Sequence, residues 1–148
     1  MIIAGDHSGS NDGRMTTTGA SAVTFDHAGL YVVDLERSRI FFQTYFGAIA
    51  NAGYHNPRTG LRTYFLTFGD QARLEIMTRP DIDVPMGERQ LGWHHVAFTL
   101  GSRTAVDEKV ARLAADGYEV ADGPRVTGDG YYEAVVLDHE GNRIELVA

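Results

Sequence analysis

GWHHVAFTLGS at residues 92–102 and FDHAGLYVVDL at residues 25–35 are two versions of one segment. With WHHVAFTL laid on FDHAGLYV, His95 falls on His27, and both segments alternate with the period of a strand. A second match closes the unit: ARLEI (72–76) lies on NRIEL (142–146) and pairs Glu75 with Glu145. The histidines stand 68 positions apart and the glutamates 70, which fits one small insertion in the helix or the loop after it. Self-similarity at this period makes the chain two copies of one supersecondary unit.

The segments between the matched strands fill in that unit. In the first half a strand runs over 23–33, and Asp34 is placed to cap a helix with Glu36 in its first turn. Leu35, Phe42, Tyr45 and Phe46 form the buried stripe of that helix, and Gly47 is its stop. Strands follow over 48–55, 61–68 and 72–77, with turns at NPRTG (56–60) and GDQ (69–71). In the second half the strand is 93–100. Thr104 is read as the helix cap, with Asp107 at the capping-box position, and Val106, Val110, Leu113 and Ala114 face the core up to Gly117. Strands at YEVAD (118–122), YYEAVVL (131–137) and RIELVA (143–148) complete the half, with a loop at GPRVTGDG (123–130) and a turn at DHEGN (138–142). The predicted fold is α+β: two βαβββ modules forming a cup-shaped eight-stranded mixed sheet with helices on the outer face. Module one spans 23–78, a linker 79–92 and module two 93–148, all one domain over 23–148. Residues 1–22, rich in Gly, Ser, Thr and Asn, read as a flexible tail in which Met15 offers a second start.

Composition narrows the function classes. A net charge of −7 argues against nucleic acid as a partner, since phosphate binding needs a basic face. No apolar run is long enough to cross a bilayer as a helix, so a membrane role is not expected. The absence of cysteine removes disulfides and thiolate metal ligands, and makes the cytoplasm the expected compartment.

The alternation places the chemistry. Ala28, Leu30 and Val32, Leu74 and Ile76, Val96, Phe98 and Leu100, and Ile144 and Leu146 form the faces that must lie under the helices. The opposite faces carry His27, Glu75, His95 and Glu145 among small or polar neighbours such as Gly29, Ala97 and Thr99. A histidine on a strand is most often structural and a terminal-strand glutamate most often solvated. Two of each at equivalent positions form instead a candidate ligand set for one divalent ion (Zn, Ni, Co, Mn or Fe), with two neutral imidazoles balancing two carboxylates. Tyr31, Thr99 and Arg73 share those faces and are candidates for substrate contact. Arg73 and Arg143 each precede a glutamate by two, and an ion pair that positions a carboxylate is the plainer reading of either. His94 takes the place of Asp26 in the repeat and is expected at the edge of the helix-covered side, while His139 in its turn is expected to be exposed. His55, Tyr131 and Tyr132 are lesser candidates.

With these residues placed, the chain resembles the vicinal oxygen chelate superfamily, which includes glyoxalase I and the bleomycin-resistance proteins. FDHAGLYVVDLERSRIFFQTYFG is similar to its opening strand–helix unit, and ARLEIM, GWHHVAF and LDHEGNRIELV to its other ligand-bearing strands, over 24–148. The resemblance implies a metal-centred cup, commonly in a homodimer, acting on a small molecule whose adjacent oxygens chelate the metal. The two-His, two-Glu set is similar to that of glyoxalase I, which acts on a thiol adduct. Two positions that hold glutathione in the bacterial enzymes are Tyr31 and Arg79 here, so the substrate stays open.

The expected activity is a metal-dependent lyase or isomerase of the glyoxalase I type. Glu145, or Glu75, would serve as the base that moves a carbon-bound proton. The alternatives are an acyl-CoA epimerase, a thiol transferase of the fosfomycin-resistance type, and a drug-binding protein without chemistry.

Overall fold

A computed structural model describes residues 25–70, 72–84 and 92–148. The tail over 1–22 and half of the linker, 85–91, lie outside them. Module one runs β1 (His27–Tyr31), α1 (Leu35–Phe46), β2 (Ile49–Ala50), β3 (Tyr54–His55), β4 (Arg62–Thr67) and β5 (Arg73–Thr78). Module two runs β6 (Val96–Thr99), α2 (Arg103–Ala115), β7 (Val120–Val126), β8 (Tyr132–Leu137) and β9 (Arg143–Val147). Each is a βαβββ unit, with the third position of module one broken into the two short strands β2 and β3.

The sheets have the same topology. Module one is ordered β1-β5-β4-β2, with β3 also on β4, and module two β6-β9-β8-β7. In both, the first strand lies parallel to the last, and the remaining pairs are antiparallel. Within one chain the strands thus form two sheets that share no ladder, each with its helix on one face.

The helix-covered faces meet in one core. Phe41, Phe42, Leu66 and Ile76 from module one and Val106, Leu113, Ile144 and Leu146 from module two are almost fully buried in a single cluster. Aromatic rings carry the seam: Phe98 packs on Phe46 and Phe68 at centroid distances of 4.5 and 4.9 Å, and Tyr118 on Phe41 and Tyr45 at 5.0 and 5.3 Å. Polar contacts flank them. Tyr45 donates its hydroxyl to Asp116 at 2.7 Å, and Lys109 donates to the Tyr45 carbonyl. Burial, and then the bond to Asp116, push the Tyr45 phenol from 10.0 up to about 12.

Helix ends follow the expected chemistry in module one and depart from it in module two. Asp34 accepts from the Arg37 amide at 3.0 Å, and Gly47 ends α1 at φ 66°. The cap of α2 is Ser102, which accepts from the Ala105 amide, and not Thr104. Asp107 is consequently no capping-box residue; it accepts from the Tyr132 hydroxyl at 2.6 Å. β7 continues to Val126, into the first part of the stretch expected to be a loop. No described helix is long and apolar enough to cross a membrane.

Module two also caps module one. The Glu140 carboxylate accepts from the Val33 amide at 2.8 Å and the Asp34 amide at 2.7 Å, at the head of α1. The turn that presents it is held by Asp138, which accepts from the Glu140 and Asn142 amides and the Asn142 side chain. His139 therefore points inward. Its side chain is 3% exposed, against the exposure expected of a turn, because it lies against α1 beside Ser38 at 3.5 Å.

Candidate metal centre

Parallel pairing of the first and last strands of each module decides which side chains meet. Gly29 stands opposite Glu75 in the β1–β5 register, and Ala97 stands opposite Glu145 in the β6–β9 register. Each histidine lies two residues before that partner, on the same face, so each is delivered beside its own glutamate. The Nε2 of His27 lies 3.7 Å from Oε2 of Glu75, and the Nε2 of His95 lies 3.6 Å from Oε2 of Glu145. Exposure matches as closely: 37% and 18% for the first pair, 38% and 18% for the second.

Separations of 3.7 and 3.6 Å exceed a hydrogen bond. They stay inside the roughly 4.2 Å that two metal–ligand bonds of about 2.1 Å can span. The donor chemistry suits a divalent cation, and each pair fits half of a first coordination sphere. Each pair stands apart from the other, and among the described residues no three metal-ligating side chains gather in one place. The expectation that all four point into one cup of a single chain is therefore not what the chain displays. The modules pack through their helix-covered faces, which leaves both ligand faces turned to solvent: His27, Gly29 and Tyr31 on β1, and His95, Ala97 and Thr99 at β6, are exposed.

The two pairs differ in what stands behind the histidine. Nδ1 of His27 lies 2.6 Å from Oδ2 of Asp26, a group that can only accept when ionised. Asp26 also accepts from Arg73 at 2.5 Å. The hydrogen bond from His27, followed by that from Arg73, holds the Asp26 carboxyl below its ordinary 3.8. In module two the same place belongs to His94, whose Nδ1 lies 3.0 Å from Nδ1 of His95. His94 is exposed.

Other predicted residues resolve individually. Arg73 pairs with Asp26 and lies over the Phe65 ring at 4.6 Å, so its charge is already engaged. Tyr31 is 43% exposed at the end of β1, and Thr99 is exposed at the end of β6. Arg143 takes on β9 the place that Arg73 takes on β5. His55 and Tyr131 are exposed and lie outside both pairs, and Tyr132 is tied to Asp107. A cleft of about 950 Å³ between the modules is lined by Phe46, Phe68, Phe98 and Lys109 as well as Arg73 and Thr99. None of the four candidate ligands lines it, so it is not the metal site.

Asp26 and Phe65 were not singled out from sequence. Phe65 is opposite Glu75 in the β4–β5 register and meets the His27 ring edge-on at 5.0 Å. Alternation within LRTYFLTF held the signal, because Thr63, Phe65 and Thr67 fall on the face opposite Tyr64, Leu66 and Phe68.

Comparison with known proteins agrees with this fold. A protein of Bacillus subtilis, the uncharacterized protein YqjT, is 30% identical over 128 residues, covering 82% of this chain and 96% of its own. Glyoxalase I of Leishmania major, described as trypanothione-dependent, superposes with a TM-score of 0.69 at 22% identity over 85% of this chain and 86% of its own. The fosfomycin resistance protein FosX of Listeria monocytogenes superposes with a TM-score of 0.62 at 23% identity, over 89% and 92% of the two chains. The family model described as Glyoxalase/Bleomycin resistance protein/Dioxygenase superfamily matches residues 24–146, and the chain belongs to that superfamily.

Proposed function

We propose that this protein is a metal-dependent lyase or isomerase of the glyoxalase I type, with each metal site shared between two copies of the chain. The observation that carries the reading is the doubled His–Glu pair: two half-sets of equal geometry, each with its histidine exposed, and among the described residues neither gathered with a third ligand. A two-fold dimer in which module one of each copy faces module two of the other joins His27 and Glu75 to His95 and Glu145 twice over. It also covers the two sheet faces that the chain leaves open.

When bound there, a divalent ion supplies Lewis-acid stabilisation of negative charge developing on two adjacent substrate oxygens. His27 and His95 hold their Nε2 atoms toward the site. Glu145 takes the proton from the substrate carbon and returns it to the neighbouring carbon, with Glu75 as the matched candidate on the other half. Gly29 and Ala97, with little or no side chain, leave room beside the donors. Thr99 and Tyr31, at the open ends of β6 and β1, are placed to touch the substrate. Arg73 reaches it only by releasing Asp26.

Substrate class is tested by a metal-loaded activity screen across hemithioacetals, acyl-CoA epimers, and thiols offered with an epoxide. Glu145→Gln is expected to lose turnover by about 10²–10⁴-fold, as when a general base is removed, while the protein keeps its melting temperature. Full activity of that variant would overturn the assignment of the base. A protein that takes up no divalent ion under any loading condition would leave a binding protein of the same fold.

A further inference from the structure

We infer that Asp26 is a positioning residue that fixes His27 as an Nε2 ligand and makes the His27–Glu75 pair the tighter-holding half of the site. The inference rests on the metal reading above and concerns the unequal support of its halves. His27 is held on three sides. Asp26 takes its Nδ1, Phe65 stands edge-on against its ring at 5.0 Å, and Arg73 braces both by pairing with Asp26 at 2.5 Å and lying over Phe65 at 4.6 Å.

Because an ionised carboxylate offers no proton, the hydrogen on His27 must sit on Nδ1. The lone pair of the neutral ring is then on Nε2, the atom facing Glu75. Negative charge behind the imidazole strengthens Nε2 as a donor, and the three contacts fix the ring before any ion arrives. His95 has a weaker frame. Its Nδ1 meets another imidazole, which carries no negative charge and can donate or accept, so that contact does not fix the tautomer. The register partner of Glu145 on β8 is Val135, where module one has Phe65. No carboxylate stands at the place of Asp26, since the repeat puts His94 there.

The test uses the full-length protein and measures dissociation constants for Co(II) and Zn(II) by competition with a chromophoric chelator, beside the melting temperature of each metal-free variant. Asp26→Ala is expected to weaken both metals by about 10–100-fold, the usual cost of losing a carboxylate behind a ligating histidine. Asp26→Asn, which keeps an acceptor without the charge, should fall between it and the wild type. His94→Ala and Arg73→Met should each cost less than Asp26→Ala. Melting temperatures of the metal-free variants should stay close to wild type, because Asp26 is 64% exposed on its side chain. Unchanged affinity in Asp26→Ala, or a larger loss in His94→Ala, would overturn the proposal. So would an equal loss in Arg73→Met accompanied by a lower melting temperature, which would make the bracket purely structural. A wild-type protein that binds neither metal would instead overturn the metal reading beneath it.

Discussion

Glu140→Ala tests how the two modules are held at their joint. The carboxylate crosses from the turn before β9 to the head of α1, where it accepts from the amides of Val33 and Asp34 at 2.8 and 2.7 Å. Its side chain is 17% exposed, so water reaches it poorly in the native state. A hydrogen bond to a charged group contributes about 1.5–3 kcal/mol, and the helix dipole adds about 0.3–1 kcal/mol. Val33 and Asp34 are exposed, and water can satisfy their amides once the carboxylate is gone. The low end therefore applies to each bond, and the two bonds with the dipole come to a net loss of about 3–4 kcal/mol. For a chain of this size that lowers the melting temperature by roughly 6–16 °C. Glu140→Gln should lose nearly as much, because its amide nitrogen would face a backbone N–H and leave one donor unmet. Circular dichroism melts of both variants at pH 7 are the assay. A shift within about 1 °C of wild type for Glu140→Ala would refute the reasoning and show that the turn seats itself through Asp138 and His139 alone.

Phe98→Ala removes the ring that Phe46 and Phe68 pack on, and should destabilise the protein by about 3 kcal/mol in chemical denaturation, since Phe98 is partly rather than fully buried. A loss below about 1 kcal/mol would contradict its place in the seam. Gly29→Val should lower turnover and metal affinity while leaving the melting temperature nearly unchanged: a Cβ there meets only the mobile end of Met77, at 2.9 Å, but stands between His27 and Tyr31 on the exposed face. Stability should also fall in alkali through Tyr45. Its folded-state pKa of about 12 lies above the ordinary 10.0, so the neutral phenol favours the fold. That stability is complete below pH 10 and is lost as pH rises toward 12; Tyr45→Phe should be flatter than wild type across this window in denaturation midpoints.

The internal repeat made much of this legible. Once FDHAGLYV was laid on WHHVAFTL, the faces of β1, β5, β6 and β9 followed from alternation, and with them the shared face of each histidine and glutamate; which glutamate stands beside which histidine came from the parallel registers of β1 with β5 and β6 with β9. How the modules meet did not follow. Alternation says that Leu74, Ile76, Ile144 and Leu146 are covered, and is silent on whether one module's helix packs against the other module or away from it. That choice separates one site with four donors from two half-sites. His139 was misread for a related reason: a DHEGN turn is polar by composition, and only the tertiary contact with α1 buries it. Gly123 and Pro124 read as a loop because proline donates nothing to a ladder, but β7 is an edge strand, where that loss is tolerated. At α2, Ser102 and Thr104 are both competent caps, and the chain turns first at Gly101, with φ 83°, leaving Ser102 extended.

The shared-site reading is tested most directly by mixing two inactive variants. His27→Ala disables module one and His95→Ala disables module two, so neither homodimer has an intact site. Unfolded together and refolded at equal concentration, half of the dimers become mixed. In each mixed dimer the intact module one of one chain meets the intact module two of the other. About a quarter of the wild-type metal stoichiometry and activity should return if every site is built from two chains related by a two-fold axis. Sites contained within single chains would remain broken in every combination, and a mixture that recovers neither metal nor activity would contradict the claim.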